Sequence, residues 1–153
     1  MSDPTIEAAR DILGDSLREL RKAMEGCSAA DLNMRPIEGD TNPLAVLVTH
    51  AMHSTRSWLS LAAGAPRPDR DRDAEFRVVV DDAAVFMSWF DGISAECRAL
   101  LHGDVVYDPG ATATAPWRTD AADEPVTAAW ALLHALEHLR EHVGHAQLTR
   151  QAL

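Results

Sequence analysis

Apolar positions recur at steps of three and four in four long stretches of the chain, the spacing of helices that bury one face. In the first, from about Thr5 to Glu25, Ile6, Ala9, Ile12, Leu13, Leu17, Leu20 and Met24 fall on one stripe. Asp3 is placed to cap this helix, and Pro4 takes the first helical position, where its missing N–H costs nothing. A second helix is expected to begin at Thr41, Asn42 and Pro43, a capping residue before a proline, and to run to about Ala63, stopped by Gly64 and Pro66. The third spans Asp81 to about His102, with Val85, Phe86, Trp89, Phe90, Ile93, Cys97, Leu100 and Leu101 at helical steps and Gly103 at its end. The fourth starts near Asp123, Glu124 and Pro125 and continues to about Gln151.

The connections differ in character. Cys27 to Thr41 reads as a link with a short helical turn over Ser28 to Leu32, capped by Ser28. Arg67 to Asp73 alternates in charge and reads as a solvated loop. Gly103 to Asp123 is rich in Gly, Ala, Thr, Asp and Pro, a length that often marks a functional loop or lid, and it holds Tyr107 and Trp117. Val79 and Val80 are β-branched, but two such residues make no sheet and no other segment offers alternating strands. The expectation is an all-α chain in which residues 1–153 form one four-helix bundle domain.

Charge narrows the partners. With 24 acidic against 14 basic residues the formal net charge is -10, which argues against nucleic acid and against anionic membrane bound through bulk electrostatics. No apolar run is long enough to span a bilayer, and the N-terminus is acidic where a secretory leader would be basic, so a cytoplasmic protein is expected. Cys27 and Cys97 match no disulfide framework or paired-cysteine metal motif and read as reduced structural thiols.

Histidine concentrates the chemistry: His134, His138, His142 and His145 all lie in the last helix. Residues four apart stack on one helix face, so the imidazoles of His138 and His142 can converge on one ion. On a helical wheel Leu132, Leu136, Leu139, Val143 and Ala146 form an apolar arc that the histidines border. His142 and His138 lie nearest that arc, whereas His134, His145 and Glu141 point further outward. His134 with His138 is the runner-up pair at the same spacing. A third ligand must come from another helix; His50, whose wheel neighbours are Val46, Leu47, Ser54, Trp58 and Leu61, faces inward. His53 sits off that face, and His102 is explained by favourable contact with helix-end carbonyls. The competing reading makes His50 a core histidine and the last helix a histidine-rich polar face.

The run from Asn42 to His50, Trp58 eight residues on, and the final stretch from His138 through His142, Gly144 and Gln147 to Arg150 together resemble the DinB-like superfamily over nearly the whole chain. The resemblance implies a four-helix bundle in up-down-down-up order, a three-histidine site (His50, His138, His142) for zinc, nickel or a related divalent transition metal, and homodimers. Characterised relatives include mycothiol-dependent maleylpyruvate isomerase and bacillithiol S-transferases, which use the metal to bind a thiolate cofactor. His145 departs from the polar residue many relatives carry there; a fourth ligand is possible, but a supporting or exposed role is the preferred reading.

Three neutral imidazoles leave a coordination position open, as in catalytic rather than closed structural sites. A thiol meeting such an ion loses its proton near neutral pH and becomes a nucleophile for an electrophile or a double bond. The expected function is therefore a metal-dependent S-transferase or isomerase acting on a low-molecular-weight thiol of the mycothiol or bacillithiol type and a small electrophile. The alternatives are a non-catalytic metal-binding or stress-related helical module, and a helical dimer with incidental histidines. No general acid stands out; Glu141 is a candidate to orient an imidazole, though a surface ion pair is its more ordinary role.

Overall fold

A computed structural model describes residues 3–36, 38–39, 41–102, 107–118 and 121–153. Four long helices dominate it: α1 (Pro4–Met24), α3 (Leu44–Ala62), α5 (Ala83–Ala99) and α6 (Ala128–Gln151), with one-turn helices α2 (Ala29–Asn33) and α4 (Arg72–Glu75) between them. The chain is all-α apart from a two-stranded antiparallel ribbon, β1 (Thr112–Thr114) with β2 (Pro125–Thr127). No helix among the described residues is long and apolar enough to cross a membrane.

The long helices enclose one core, α6 packing on α3 and α1 while α5 packs on the same two. Side-chain partners fix their directions. Arg21 pairs with Asp91 while Arg10 reaches the Leu101 carbonyl, so α1 and α5 are antiparallel. Gln147 donates to Glu19 and Arg150 to the Glu25 carbonyl, so α1 and α6 are parallel. His53 stacks on Trp89 and Arg56 pairs with Glu96, making α3 and α5 parallel. Trp58 meets Trp130 where His50 meets His142, making α3 and α6 antiparallel. Thus α1 and α6 run one way and α3 and α5 the other.

Helix starts follow their caps. Asp3 accepts from the Thr5 amide with Pro4 in the first turn, and Ser28 with Asp31 forms a reciprocal capping box that starts α2. Two starts differ from expectation. Pro43, with no side chain to cap, is the N-cap of α3, so Asn42 lies outside the helix and Pro43 is not its first turn. The last helix begins at Ala128, because Pro125–Thr127 pairs with Thr112–Thr114 in the register Thr112↔Thr127, Ala113↔Val126, Thr114↔Pro125. Thr127 then caps α6 by accepting from the Trp130 amide. Three-residue strands carry no readable periodicity, and pairing across the intervening loop decides them.

The core stripe is narrower than the apolar pattern. Leu13, Leu17, Leu20 and Met24 are essentially inaccessible, but Ile12 is 44% exposed because one residue turns it about 100° from Leu13. Val85 is likewise exposed on α5, while Phe86, Phe90, Ile93 and Cys97 are buried. The Gly103 stop lies outside the described residues; α5 ends earlier, at Ala99. Helix α3 is buried on nearly every side, the small polar residues Ser54, Thr55, Ser57 and Ser60 included. Both cysteines are free and buried, and burial pushes the Cys97 thiol up to about 12 and the Cys27 thiol upward, which disfavours the thiolate in both.

Candidate metal centre

His50 projects from the second turn of α3, and His138 and His142 project from successive turns of α6 into the α3–α6 seam. Ring centroids lie 5.2 Å apart for His50 and His138, 5.1 Å for His50 and His142, and 4.5 Å for His138 and His142. One ring nitrogen from each falls within 4.8 Å of the others, and among the described residues no other group of acidic, histidine or cysteine side chains meets this condition. Antiparallel packing produces the convergence: an i, i+4 pair on one helix faces a single inward residue on the other.

A carboxylate that the charge pattern concealed fixes the orientation of His50. Its Nδ1 lies 2.9 Å from Oε2 of Glu75, which is 3% exposed. An ionised carboxylate only accepts, so Nδ1 carries the proton and the free lone pair sits on Nε2. Glu75 is held in turn by Arg70, whose Nε and Nη2 donate at 2.6 and 2.9 Å. Burial alone would raise the Glu75 carboxyl; hydrogen bonds and charge from Arg70 and His50 outweigh it and hold the group below the usual carboxylate range. Phe76, 4.9 Å from His50 between centroids, closes another side. The Arg67–Asp73 run is therefore not simply solvated: Asp71 caps α4, Arg70 turns inward, and α4 delivers Glu75 to His50. Glu141, the sequence-based candidate for this role, is exposed.

The other two rings are poor bases. Burial, then the neighbouring His142 and His50, pushes His138 down to about 3, and burial with His50 and His145 pushes His142 down to about 4. Both are neutral at pH 7, the form a metal needs. Their Nδ1 atoms are buried and have no hydrogen-bond partner among the described residues. Unpartnered buried nitrogens on two neutral rings are costly, and these two imidazoles brought together with His50 suit a borderline divalent ion such as zinc or nickel. The donor set fits a cation.

The remaining histidines stay outside the cluster. His53 is half-buried and stacks on Trp89; His145 is exposed beside His142; His102 is exposed beyond the end of α5. His134 turns less outward than the wheel suggests: it is half-buried, stacked on Trp130 at 4.7 Å and set edge-on to Trp58. His50 and His138 open on a cleft of about 380 Å³ whose lining includes Trp58, Trp117, Trp130 and His134. Trp117, Arg118 and Ala121 come from the long loop, so that segment supplies one wall, and the β1–β2 ribbon ties it to the start of α6. Residues 103–106 and 119–120 of the loop lie outside the described residues.

The antiparallel α3–α6 pair with its three-histidine cluster defines an all-α protein of DinB-like type. The chain belongs to the mycothiol-S-transferase family, whose description it matches over residues 8–153. Among solved structures, a conserved protein from Enterococcus faecalis shares the fold, with a TM-score of 0.73 at 15% identity over 99% of this chain and 97% of that one. No curated protein matches the chain.

Proposed function

We propose that the protein is a metal-dependent thiol S-transferase in which His50, His138 and His142 hold one divalent transition-metal ion, zinc or nickel by their donor chemistry. The observation that carries this reading is the convergence of the three rings where the cleft reaches His50 and His138, in a chain of the mycothiol-S-transferase family. Bound there, the ion would acidify a low-molecular-weight thiol so that its sulfur is presented as thiolate at neutral pH. The chain's own residues do the rest. Glu75 and Arg70 hold the His50 ring in one tautomer, burial keeps His138 and His142 unprotonated, and the cleft gives a thiol and an electrophile room to meet. An open cleft favours this over a closed metal module, whose ion would need no access.

Cobalt substitution tests it. Titration of mycothiol or bacillithiol into the cobalt protein is expected to add an intense near-ultraviolet thiolate-to-metal band, and the same thiol is expected to be consumed when an arylating electrophile is added. A spectrum indifferent to thiols at millimolar concentration would favour the non-catalytic module. We also propose a symmetric homodimer, supported by the exposed apolar residues Leu133 and Leu148 of α6. A monomer mass by light scattering at every micromolar concentration would remove the dimer.

A further inference from the structure

The cleft beside the histidines is cationic and aromatic in a chain whose net charge is -10. Arg70, Arg72 and Arg118 line it with Trp58, Trp117 and Trp130, and no acidic residue does so among the described residues. Asp69 lines the adjoining hollow instead. Arg70 is committed to Glu75, but Arg72 and Arg118 have no ion pair among the described residues. Each lies over a ring: the Arg118 guanidinium is 5.3 Å from the Trp130 centroid and that of Arg72 is 5.0 Å from Phe76. Stacking spends the flat face of a guanidinium and leaves its N–H edge, the part that matches a carboxylate in a fork. Arg118 otherwise makes one long bond, 3.4 Å to the Glu124 carbonyl. The indole nitrogen of Trp117 is buried and has no acceptor among the described residues. Trp58 meets Trp117 and Trp130 edge to face, and Arg67 lies 5.4 Å from the Trp117 centroid, so aromatic surface and guanidinium groups border the cleft together.

We infer that the cleft binds an aromatic carboxylate, its ring against Trp58, Trp117 and Trp130 and its carboxylate on the edges of Arg118 and Arg72. This rests on the transferase reading in one respect only, that such a ligand would be the electrophilic partner of the thiol. Binding itself needs neither thiol nor turnover.

The probe is para-nitrobenzoate, which quenches tryptophan fluorescence, against its neutral isostere para-nitrobenzamide and, by calorimetry, against cyclohexanecarboxylate, which has the charge without the planar ring. The purified full-length protein is expected to bind para-nitrobenzoate at least about tenfold more tightly than either control. Arg118→Gln, with unchanged far-ultraviolet circular dichroism, is expected to lose most of that preference, and Arg118→Lys to recover only part of it because the fork is gone. Equal binding of the amide would overturn the inference. So would a preference that survives Arg72→Gln with Arg118→Gln but disappears in His138→Ala, since the anion would then be read by the histidine cluster. Titrating thiol into the cobalt protein separates the two ideas: a thiolate band without carboxylate preference defeats only this inference, whereas carboxylate preference without the band defeats only the transferase reading.

Discussion

Helix α6 presents two seams that solve different problems. On its apolar side Leu139, Val143 and Ala146 share one buried cluster with Leu13, Leu17 and Leu20 of α1, and the polar contact of Gln147 with Glu19 is only part-buried. Toward α3 it places His138 and His142 against His50, and the polar groups go inside. The first seam gains from burying apolar area, each large side chain contributing about 1.5–3 kcal/mol. The second gives up part of that gain and needs Glu75 and Arg70 to satisfy one ring, while two buried nitrogens have no protein partner. A stability optimum would not look like this; a seam kept for binding would.

The contrast can be broken from either side. Leu17→Ala, a cavity in the apolar seam, is expected to cost about 2–5 kcal/mol in urea unfolding while leaving the metal content per folded chain unchanged. A parallel loss of metal would show that the seams are not separable. Glu75→Ala strands the Arg70 charge in a site where Glu75 is 3% exposed and the Arg70 side chain 9% exposed. It should cost about 3–5 kcal/mol and weaken metal affinity roughly 10–100-fold, since His50 loses the group that sets its tautomer. Unchanged affinity would remove Glu75 from the site's machinery.

A smaller effect concerns acid. His138 and His142 have folded pKa values lowered from 6.5, so the unfolded chain binds more protons as pH falls. Their contribution to stability is complete above about pH 6.5, declines progressively below it and is exhausted once pH has passed through 4 and then 3. The urea midpoint of the metal-free protein should therefore drop between about pH 7 and pH 5, and His138→Leu should flatten that slope. An equal slope in the variant would mean that other groups set it. The smallest effects belong to the outer ring: His53→Ala and His145→Ala should change metal content little.

The helices and the histidines that cluster between α3 and α6 were legible because both depend on short-range spacing. The steps of three and four in α1 and α5, the i, i+4 relation of His138 to His142 and the apolar neighbours of His50 are all local properties. What could not be read depends on tertiary contact. Glu75 stands 25 residues after His50 in a charge-rich run, and only the docking of α4 against α3 makes it a buried partner. The β1–β2 ribbon has three residues a side, too few for a pattern. His134 stays outside the cluster, as its place on the wheel suggests, but is half-buried because the indoles of Trp58 and Trp130, which a wheel omits, pack on its ring. The cap of α3 was misplaced by one residue because Asn42 and Pro43 fit two alternative starts equally well.

The central claim is that His50, His138 and His142, and not the neighbouring His134, hold the ion. Elemental analysis of protein purified without a histidine tag, wild type beside His138→Ala and His134→Ala, is the most direct test. About one equivalent of zinc or nickel in the wild type and in His134→Ala, with severe loss in His138→Ala, is the predicted result. Full metal in His138→Ala with loss in His134→Ala would contradict the account and place the ligands one helical turn away.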